Sequence, residues 1–289
     1  MSLRLLVSGC TGFIGSNLMP KLTKLGHHVE GISRKPAKSN HKIHIANLRS
    51  EHLAKKIKTK SFDAIIHLAA DTDEKDLPSM FSDNVVTTLN ILEFAREKKI
   101  NKLIFVSGHN VYSPSKALPI GEDSTIAPFT NYGCTKLLSE NLVSYYNHKF
   151  DIDVILLRVS VIYGDGQPQR STISKFIANY KDSKEILLHK YQNGFQKVDL
   201  IHVSDVCDAI IRALDSKKKF AIYNIASGKP STVKDISKIL RMHNQSSSRF
   251  KVQNISKKVI HFYYDIESAK KELDFEPKVS LEKGITSLL

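Results

Sequence analysis

Two groups of residues in this chain have the types and spacing that chemistry needs. Tyr132 and Lys136 lie four apart in NYGCTKLLSE, at the start of a segment with helical periodicity, so both side chains leave one helix face. A phenol titrates at about 10 when unperturbed, too high for easy proton exchange at neutral pH, and a neighbouring ammonium favours its anion. The pair can serve as an acid/base device, although the same spacing also describes an ordinary exposed helix pair. The second group is Gly9, Gly12 and Gly15 in VSGCTGFIGSNL, between a strand-like and a helix-like run. In such a turn the first glycine permits a tight bend, the second lets backbone amides approach a pyrophosphate, and the third lets helix pack on strand. The helix N-terminus then faces the anion. The expected dinucleotide contacts of the turn are Gly9, Thr11, Gly12, Phe13, Ile14 and Gly15.

The end of the second strand chooses between dinucleotides. A fold that prefers NAD commonly places Asp or Glu about 20 residues after the glycines, on the ribose hydroxyls. Here the chain reads Ser33, Arg34, Lys35, and Glu30 falls too early, inside the strand. An acidic side chain would repel a 2′-phosphate, whereas a guanidinium can clasp it and stack on adenine. The sequence therefore predicts NADP(H) as the preferred cofactor, held at Ser33, Arg34 and Lys35, with NAD(H) as the alternative.

Bringing the glycine turn and the tyrosine together requires alternating strands and helices, and the hydropathy reads that way. Strand-length runs such as LRLLVSG, HVEGISR, FDAIIHLAA, KLIFVSG and DVILLRVSVIYG alternate with amphipathic stretches. Val85, Leu89, Leu92 and Ala95 recur at helical spacing, as do Leu138, Leu142 and Tyr145. Continuous Val/Ile/Leu strands suit burial on both faces, and the alternation argues for crossover units of a parallel sheet. The predicted fold class is α/β. A Rossmann-type doubly wound parallel sheet covers residues 1–164, with some later segments returning to it. A smaller mixed α/β C-terminal substrate lobe takes up mainly residues 165–289, with Ser231 and Thr232 as helix-cap candidates.

With 289 residues and 41% hydrophobic side chains, the chain has ample material for a packed core, which excludes disorder as its main state. No apolar run approaches the roughly 20 residues that span a bilayer, and the N-terminus enters a strand-like run directly, so the expected location is the cytoplasm. Three scattered cysteines suggest neither a disulfide framework nor a zinc knuckle, and the twelve histidines show no ligand spacing, so no metal is expected. The 43 basic and 29 acidic side chains leave a formal charge of +14. Residues 34–60 hold nine basic and one acidic residue, residues 229–258 eight and one, and the rest is near balance. Two local patches suit phosphorylated small ligands, with RNA or another polyanion as the reading from a different functional class.

In order along nearly the whole chain, the motifs resemble the extended short-chain dehydrogenase/reductase family, specifically its NAD(P)-dependent epimerase/dehydratase group of nucleotide-sugar-modifying type. The matches are the glycine turn, HLAA at His67 to Ala70, Asn84 opening the long helix, and the Y-G-x-[ST]-K form at Tyr132 to Lys136. LR...YG at Leu157 to Gly164, HVSDV at His202 to Val206, YNIASG at Tyr223 to Gly228 and the tail DIESAKKELDFEP follow, with Asp274 where the family usually has Gly. The resemblance implies hydride transfer, with Tyr132 exchanging a proton with a hydroxyl or carbonyl oxygen while Lys136 binds the nicotinamide ribose and lowers the phenol's pKa. It further implies adenine contacts at Asn47 and Leu48, a backbone wall at Leu68, Ala69 and Ala70, and cofactor contacts at Asn84, Val106, Tyr132 and Lys136. A homodimer through helices near residues 78–99 and 132–149 is also implied.

Where the family carries a catalytic Ser or Thr, aligning V-S-G-H-N-V-Y on its final VY puts Gly108. That leaves Ser107, Asn110 or a water to polarise the substrate oxygen, and one lost donor costs about 10²- to 10³-fold. His109 and Asn110 stand where dehydratases carry an Asp-Glu pair, which argues against dehydration. Val161 and Val198 stand where nucleotide-sugar enzymes often carry Asn and Arg, so Lys197, Arg170 and Arg249 are the candidate replacement cations. Lys197 and Arg249, with Asn110 and Tyr112, are the expected substrate contacts. The expected function is NADP(H)-dependent 4-ketoreduction of a nucleotide-linked sugar, with 4-epimerisation as the near alternative. A catalytically weak, polyanion-binding member is the alternative from another class.

Overall fold

Strands of consecutive apolar residues need cover on both faces, and the computed structural model supplies it. It describes residues 2–49, 52–59, 61–74, 76–114, 117–169, 171–243 and 246–289. In chain order the strands are β1 (Arg4–Ser8), β2 (His28–Ser33), β3 (Lys42–Ile45), β4 (Ala64–His67), β5 (Lys102–Gly108) and β6 (Asp153–Val159). Then come β7 (Val161–Tyr163), β8 (Ile186–Tyr191), β9 (Val198–His202), β10 (Phe220–Ile225), β11 (Pro230–Ser231) and β12 (Phe250–Ile255). The principal sheet runs β10-β6-β5-β4-β1-β2-β3, every neighbour parallel.

The helices are α1 (Phe13–Lys24), α2 (Leu53–Lys56), α3 (Leu77–Met80), α4 (Thr87–Lys98), α5 (Asn131–Phe150), α6 (Thr172–Lys181), α7 (Val203–Asp215), α8 (Val233–His243), α9 (Glu267–Leu273) and α10 (Leu281–Thr286). Alternation along the strands sorts the cover. Val7, Ile66, Ile104 and Leu157 pack toward α1, α7 and α9, while Leu6, Ile65, Phe105 and Leu156 pack toward α2, α4 and α5. Helix α7 and strand β10 return to this sheet from beyond residue 164. The other strands form two small sheets, β11-β9-β7 and β12-β8, and residues of α6, α8 and α10 build a separate core with Ile186 and Leu188.

The chain order reverses at β1, which has β2 on one side and β4 on the other. At such a switch point the loops leave in opposite directions and open a crevice beyond the strand ends. One expectation needs correction beside it. Helix α3, a π-helical stretch Phe81–Val86 and helix α4 follow one another directly, so Asn84 lies inside this run rather than opening it. No helix among the described residues is long and apolar enough to cross a membrane.

Helix α5 is fastened to the sheet by charge. Arg158 on β6 donates to Glu140 at 2.8 Å, with side-chain exposures of 2% and 5%. The guanidinium also lies over the Tyr112 ring and donates to its hydroxyl at 3.1 Å. Removing one charge from such a pair leaves the other uncompensated. Glu140→Gln is expected to cost about 3–5 kcal/mol, and a Glu140→Leu/Arg158→Met double variant to recover most of that. Urea denaturation midpoints of the single and double variants check this.

Candidate active site

The glycine turn forms the floor of the crevice. Gly9 has φ +69°, and a Cβ on it would lie 2.7 Å from the Ala69 backbone nitrogen, so only glycine lets the turn touch the end of β4. A Cβ on Gly15 would run into Gly9 O and Cys10, which is the close helix-on-strand packing expected of the third glycine. The crevice has a volume of about 600 Å³. Gly9, Thr11 and Gly12 line it, as do Ser33, Arg34 and Lys35 at the end of β2 and Asn47, Leu48, Ala69 and Ala70 opposite.

Phe13, Ile14 and Leu68 turn their apolar side chains to the hydrophobic core, which leaves their backbone as the part that can meet a ligand. Asn84 is 1% exposed and its amide is fully used: Oδ1 accepts from Asp71 N at 2.7 Å, and Nδ2 donates to Asp71 O and Thr135 Oγ1, both at 3.0 Å. It holds the crevice wall rather than a ligand.

Sequence reasoning missed Arg49 and Asp83, which also line the crevice. Asn47 Oδ1 accepts from Arg49 N at 3.1 Å, and the Arg49 guanidinium makes a close ion pair with Asp83. Arg34 lies 4.0 Å from the same carboxylate, which is 5% exposed and whose Oδ2 has no partner. Their only sequence signals were adjacency to Asn47 and to Asn84. A tight glycine turn at a helix N-terminus, with a wall of mixed charge beside it, fits a dinucleotide.

Beyond the crevice, helix α5 presents the tyrosine. Thr130 Oγ1 caps it by accepting from Gly133 N at 2.9 Å, and Glu74 accepts from Asn131 N at 2.6 Å. Burial pushes the Tyr132 phenol up to about 12. Lys136 is 3% exposed, donates to Val106 O at 2.8 Å, and stands 4.3 Å over the Phe105 ring. Burial brings it down to about 8, with Glu140 opposing the fall. Desolvation sets the direction for both groups, and the Lys136 ammonium is turned to a backbone carbonyl. Neither Tyr132, Lys136 nor Val106 lines this crevice itself.

A buried hydrogen-bond chain joins the two groups. Ser8 Oγ accepts from Leu68 N and Ala69 N, so its proton goes to His67 Nδ1 at 2.5 Å. His67 Nε2 then donates to Thr88 Oγ1 at 3.1 Å, and Thr88 donates to Asn84 O at 2.7 Å. Asn84 Nδ2 reaches Thr135 Oγ1, which donates to Tyr132 O at 2.9 Å. Burial, helped by the charge of Lys136, holds His67 neutral down to about 3.

The remaining expected residues divide. Ser107 is 3% exposed with its hydroxyl unpartnered, and the position facing the Tyr132 phenol is Gly108. Tyr112, expected at the substrate, is 3% exposed and its hydroxyl donates to Asn224 Oδ1 at 2.6 Å, so it braces β6 and β10. Asn110 stays beside Tyr132. Lys197 and Arg249 are exposed in the C-terminal part, away from the crevice lining, and Arg170 lies outside the described residues. His109 stacks on Phe262 at 5.1 Å and is held neutral by burial down to about 4. No group of three or more His, Cys, Asp or Glu among the described residues is placed to hold a metal.

His67 and His109 take up a proton near 6.5 when unfolded but only at about 3 and about 4 when folded. The unfolded chain binds more protons across that window, so stability falls as pH drops through it, by up to about 1.4 kcal/mol per pH unit for each histidine. Urea midpoints measured between about pH 7 and about pH 5 are expected to show this slope, and His67→Gln to remove about one proton's share of it.

Comparison with known proteins agrees with this arrangement. The family described as the NAD dependent epimerase/dehydratase family matches residues 5–226. A UDP-glucuronate 4-epimerase of Thermodesulfobacterium geofontis is 28% identical, over 97% of this chain and 93% of its own. The solved structure of MoeE5 in complex with UDP-glucuronic acid and NAD superposes with a TM-score of 0.87 at 25% identity, over 98% of this chain and 96% of that one. A UDP-glucuronic acid 4-epimerase from Bacillus cereus, solved with UDP-glucuronic acid and NAD, gives 0.86 at 26% identity, over 98% and 97%.

Proposed function

The chain belongs to the NAD dependent epimerase/dehydratase family of enzymes, and from that premise we propose that it moves a hydride between a nicotinamide cofactor and C4 of a nucleotide-linked hexose, acting as an NADP(H)-dependent 4-ketoreductase. The observation that carries this reading is the Tyr132 phenol, one helical turn from a buried Lys136 and tied through Asn84 to the wall of a dinucleotide crevice. When bound, the nicotinamide supplies or accepts the hydride. Amides of the glycine turn and the N-terminus of α1 bind the pyrophosphate. Tyr132 gives its proton to the carbonyl oxygen as the carbon is reduced, and its high pKa in the free protein keeps it in the acid form for that step. Lys136 binds the nicotinamide ribose and, as a cation, stabilises the phenolate left behind.

The cofactor preference rests on charge. Arg34, Lys35 and Arg49 line the crevice together with the carboxylates of Asp71 and Asp83, a balance of +1, and both arginines point at Asp83. A 2′-phosphate, at about −1.5 to −2 at neutral pH, supplies this surplus with a partner that a bare ribose does not. Three cations of the basic segment 34–60 are thereby accounted for, which leaves less of that patch for a polyanion.

The names of the relatives favour a second reading, 4-epimerisation, in which the hydride returns to the opposite face of the same sugar. Tyr132 and Lys136 serve both. Net oxidation of added NADPH by a UDP-4-keto-6-deoxyhexose supports reduction, and conversion of UDP-glucuronic acid without net cofactor change supports epimerisation. We further read residues 165–289 mainly as the substrate lobe and the enzyme as a cytoplasmic homodimer. Leu138, Tyr145 and Phe150, exposed along α5, support pairing of two copies there.

Tyr132→Phe is expected to lower kcat by about 10²- to 10⁴-fold while leaving cofactor affinity unchanged, checked by steady-state kinetics beside calorimetric binding. Wild type is expected to bind NADPH more tightly than NADH. Arg34→Ala and Arg49→Ala should each lose roughly tenfold or more for NADPH with little change for NADH, as removal of a charge-assisted hydrogen bond does.

A further inference from the structure

Strand β5 ends at Gly108, so the phenol of Tyr132 lacks the neighbouring hydroxyl that would help it hold a reacting oxygen. From the geometry around that glycine we propose that the carboxamide of Asn110 is the second catalytic group, donating a hydrogen bond to the C4 oxygen of the substrate. The inference rests on the hydride-transfer reading above and names a residue that completes it.

A Cβ built on Gly108 would lie 3.6 Å from Tyr132 Oη, 3.3 Å from Tyr132 Cε1 and 3.4 Å from Asn110 Oδ1. Phenol and carboxamide therefore face one small space, and since no hydrogen bond fixes the amide, a half-turn of its terminal group puts the donor Nδ2 where Oδ1 now stands. Among the described residues the Asn110 side chain has no hydrogen-bond partner, and it is half-buried. Its backbone, by contrast, is fixed. Asn110 sits in the 3₁₀ turn His109–Val111, closed by Tyr112 N donating to His109 O at 3.2 Å. Its carbonyl packs so closely on Gly133 that a Cβ there would collide with it. The Tyr132-Gly133 pair thus delivers the phenol and seats the turn that carries Asn110. Ser107 is one residue away on an extended strand, so its side chain leaves the opposite face from the Gly108 position.

The chemistry suits a carboxamide. Its Nδ2 offers two donors and no ionisable proton, so it polarises a carbonyl, and stabilises the negative charge growing on that oxygen, at any pH the enzyme meets. In the reductive direction hydride adds to C4, the C–O electron pair moves to oxygen, and Tyr132 supplies the proton. Asn110 holds the oxygen and transfers nothing.

The test compares wild type, Asn110→Ala, Gly108→Ser, the Gly108→Ser/Asn110→Ala double variant and Tyr132→Phe. The probes are UDP-4-keto-6-deoxyglucose with NADPH, and UDP-glucuronic acid. Asn110→Ala is expected to lower kcat by about 10²- to 10³-fold, with cofactor Kd and Tm unchanged. A serine at Gly108 meets its neighbours at 3.3–3.6 Å and enters with a small shift, so the double variant is expected to regain about tenfold or more. The proposal is overturned if Asn110→Ala keeps kcat within about twofold while Tyr132→Phe is inactive, or if Gly108→Ser brings no recovery. If wild type turns over neither probe, or Tyr132→Phe remains as active as wild type, the hydride-transfer reading fails, and this proposal with it.

Discussion

The site depends on one line of buried hydrogen bonds. Ser8 follows the last core residue of β1, immediately before the glycine turn, and its proton begins a chain through His67, Thr88 and Asn84 to Thr135 and the first turn of α5. Ser8, His67, Thr88, Asn84 and Thr135 are at most 1% exposed. In such surroundings an unmet donor or acceptor costs the full desolvation of the group, about 1–3 kcal/mol, so the chain has one satisfactory arrangement. Three separate elements, the end of β1, the end of β4 and the N-terminus of α5, are thereby fixed relative to one another. The floor of the crevice and the phenol behave as parts of one rigid unit.

That rigidity is purchased with charges held against their preference. Lys136 is buried and brought down to about 8, and the Tyr132 phenol is pushed up to about 12. Both shifts oppose the ionised pair that the reaction passes through, and both come from desolvation. A positively charged nicotinamide brought beside them favours the phenolate, so the site is set to be completed by what it binds. The Arg158–Glu140 pair, one turn along α5 from Lys136, holds the helix while this happens and lends Lys136 part of its stabilisation as a cation.

Much of this was legible in the chain itself, because it is written in local patterns. Continuous apolar strands told of a sheet covered on both faces, and the glycines, bounded by strand and helix, told of the turn. Tyr132 and Lys136 were legible because helix spacing alone puts them on one face. Residues that act through distant partners were not legible. Asp83 and Arg49 are 34 positions apart and meet only after β1 separates β2 from β4. Asn84 looked like a cofactor contact because its type and place fit one, yet its amide is spent on Asp71 and Thr135. Tyr112 looked like a substrate contact for similar reasons and is consumed by Asn224 and Arg158. Polarity marks a residue as needing partners without saying which.

The basic character of the chain has also become specific at one end. Arg34, Lys35 and Arg49 line the crevice with two carboxylates, Asp71 and Asp83, whereas the cations of 229–258 lie on α8, β12 and their flanks. The central claim, hydride exchange at C4 on this rigid unit, is tested most directly by isotope transfer. The enzyme is incubated with UDP-4-keto-6-deoxyglucose and NADPH dideuterated at the nicotinamide C4, and the product sugar is weighed by mass spectrometry. The account predicts one deuterium at sugar C4 from wild type and none from Tyr132→Phe. Product formed by wild type without deuterium at C4 would contradict it.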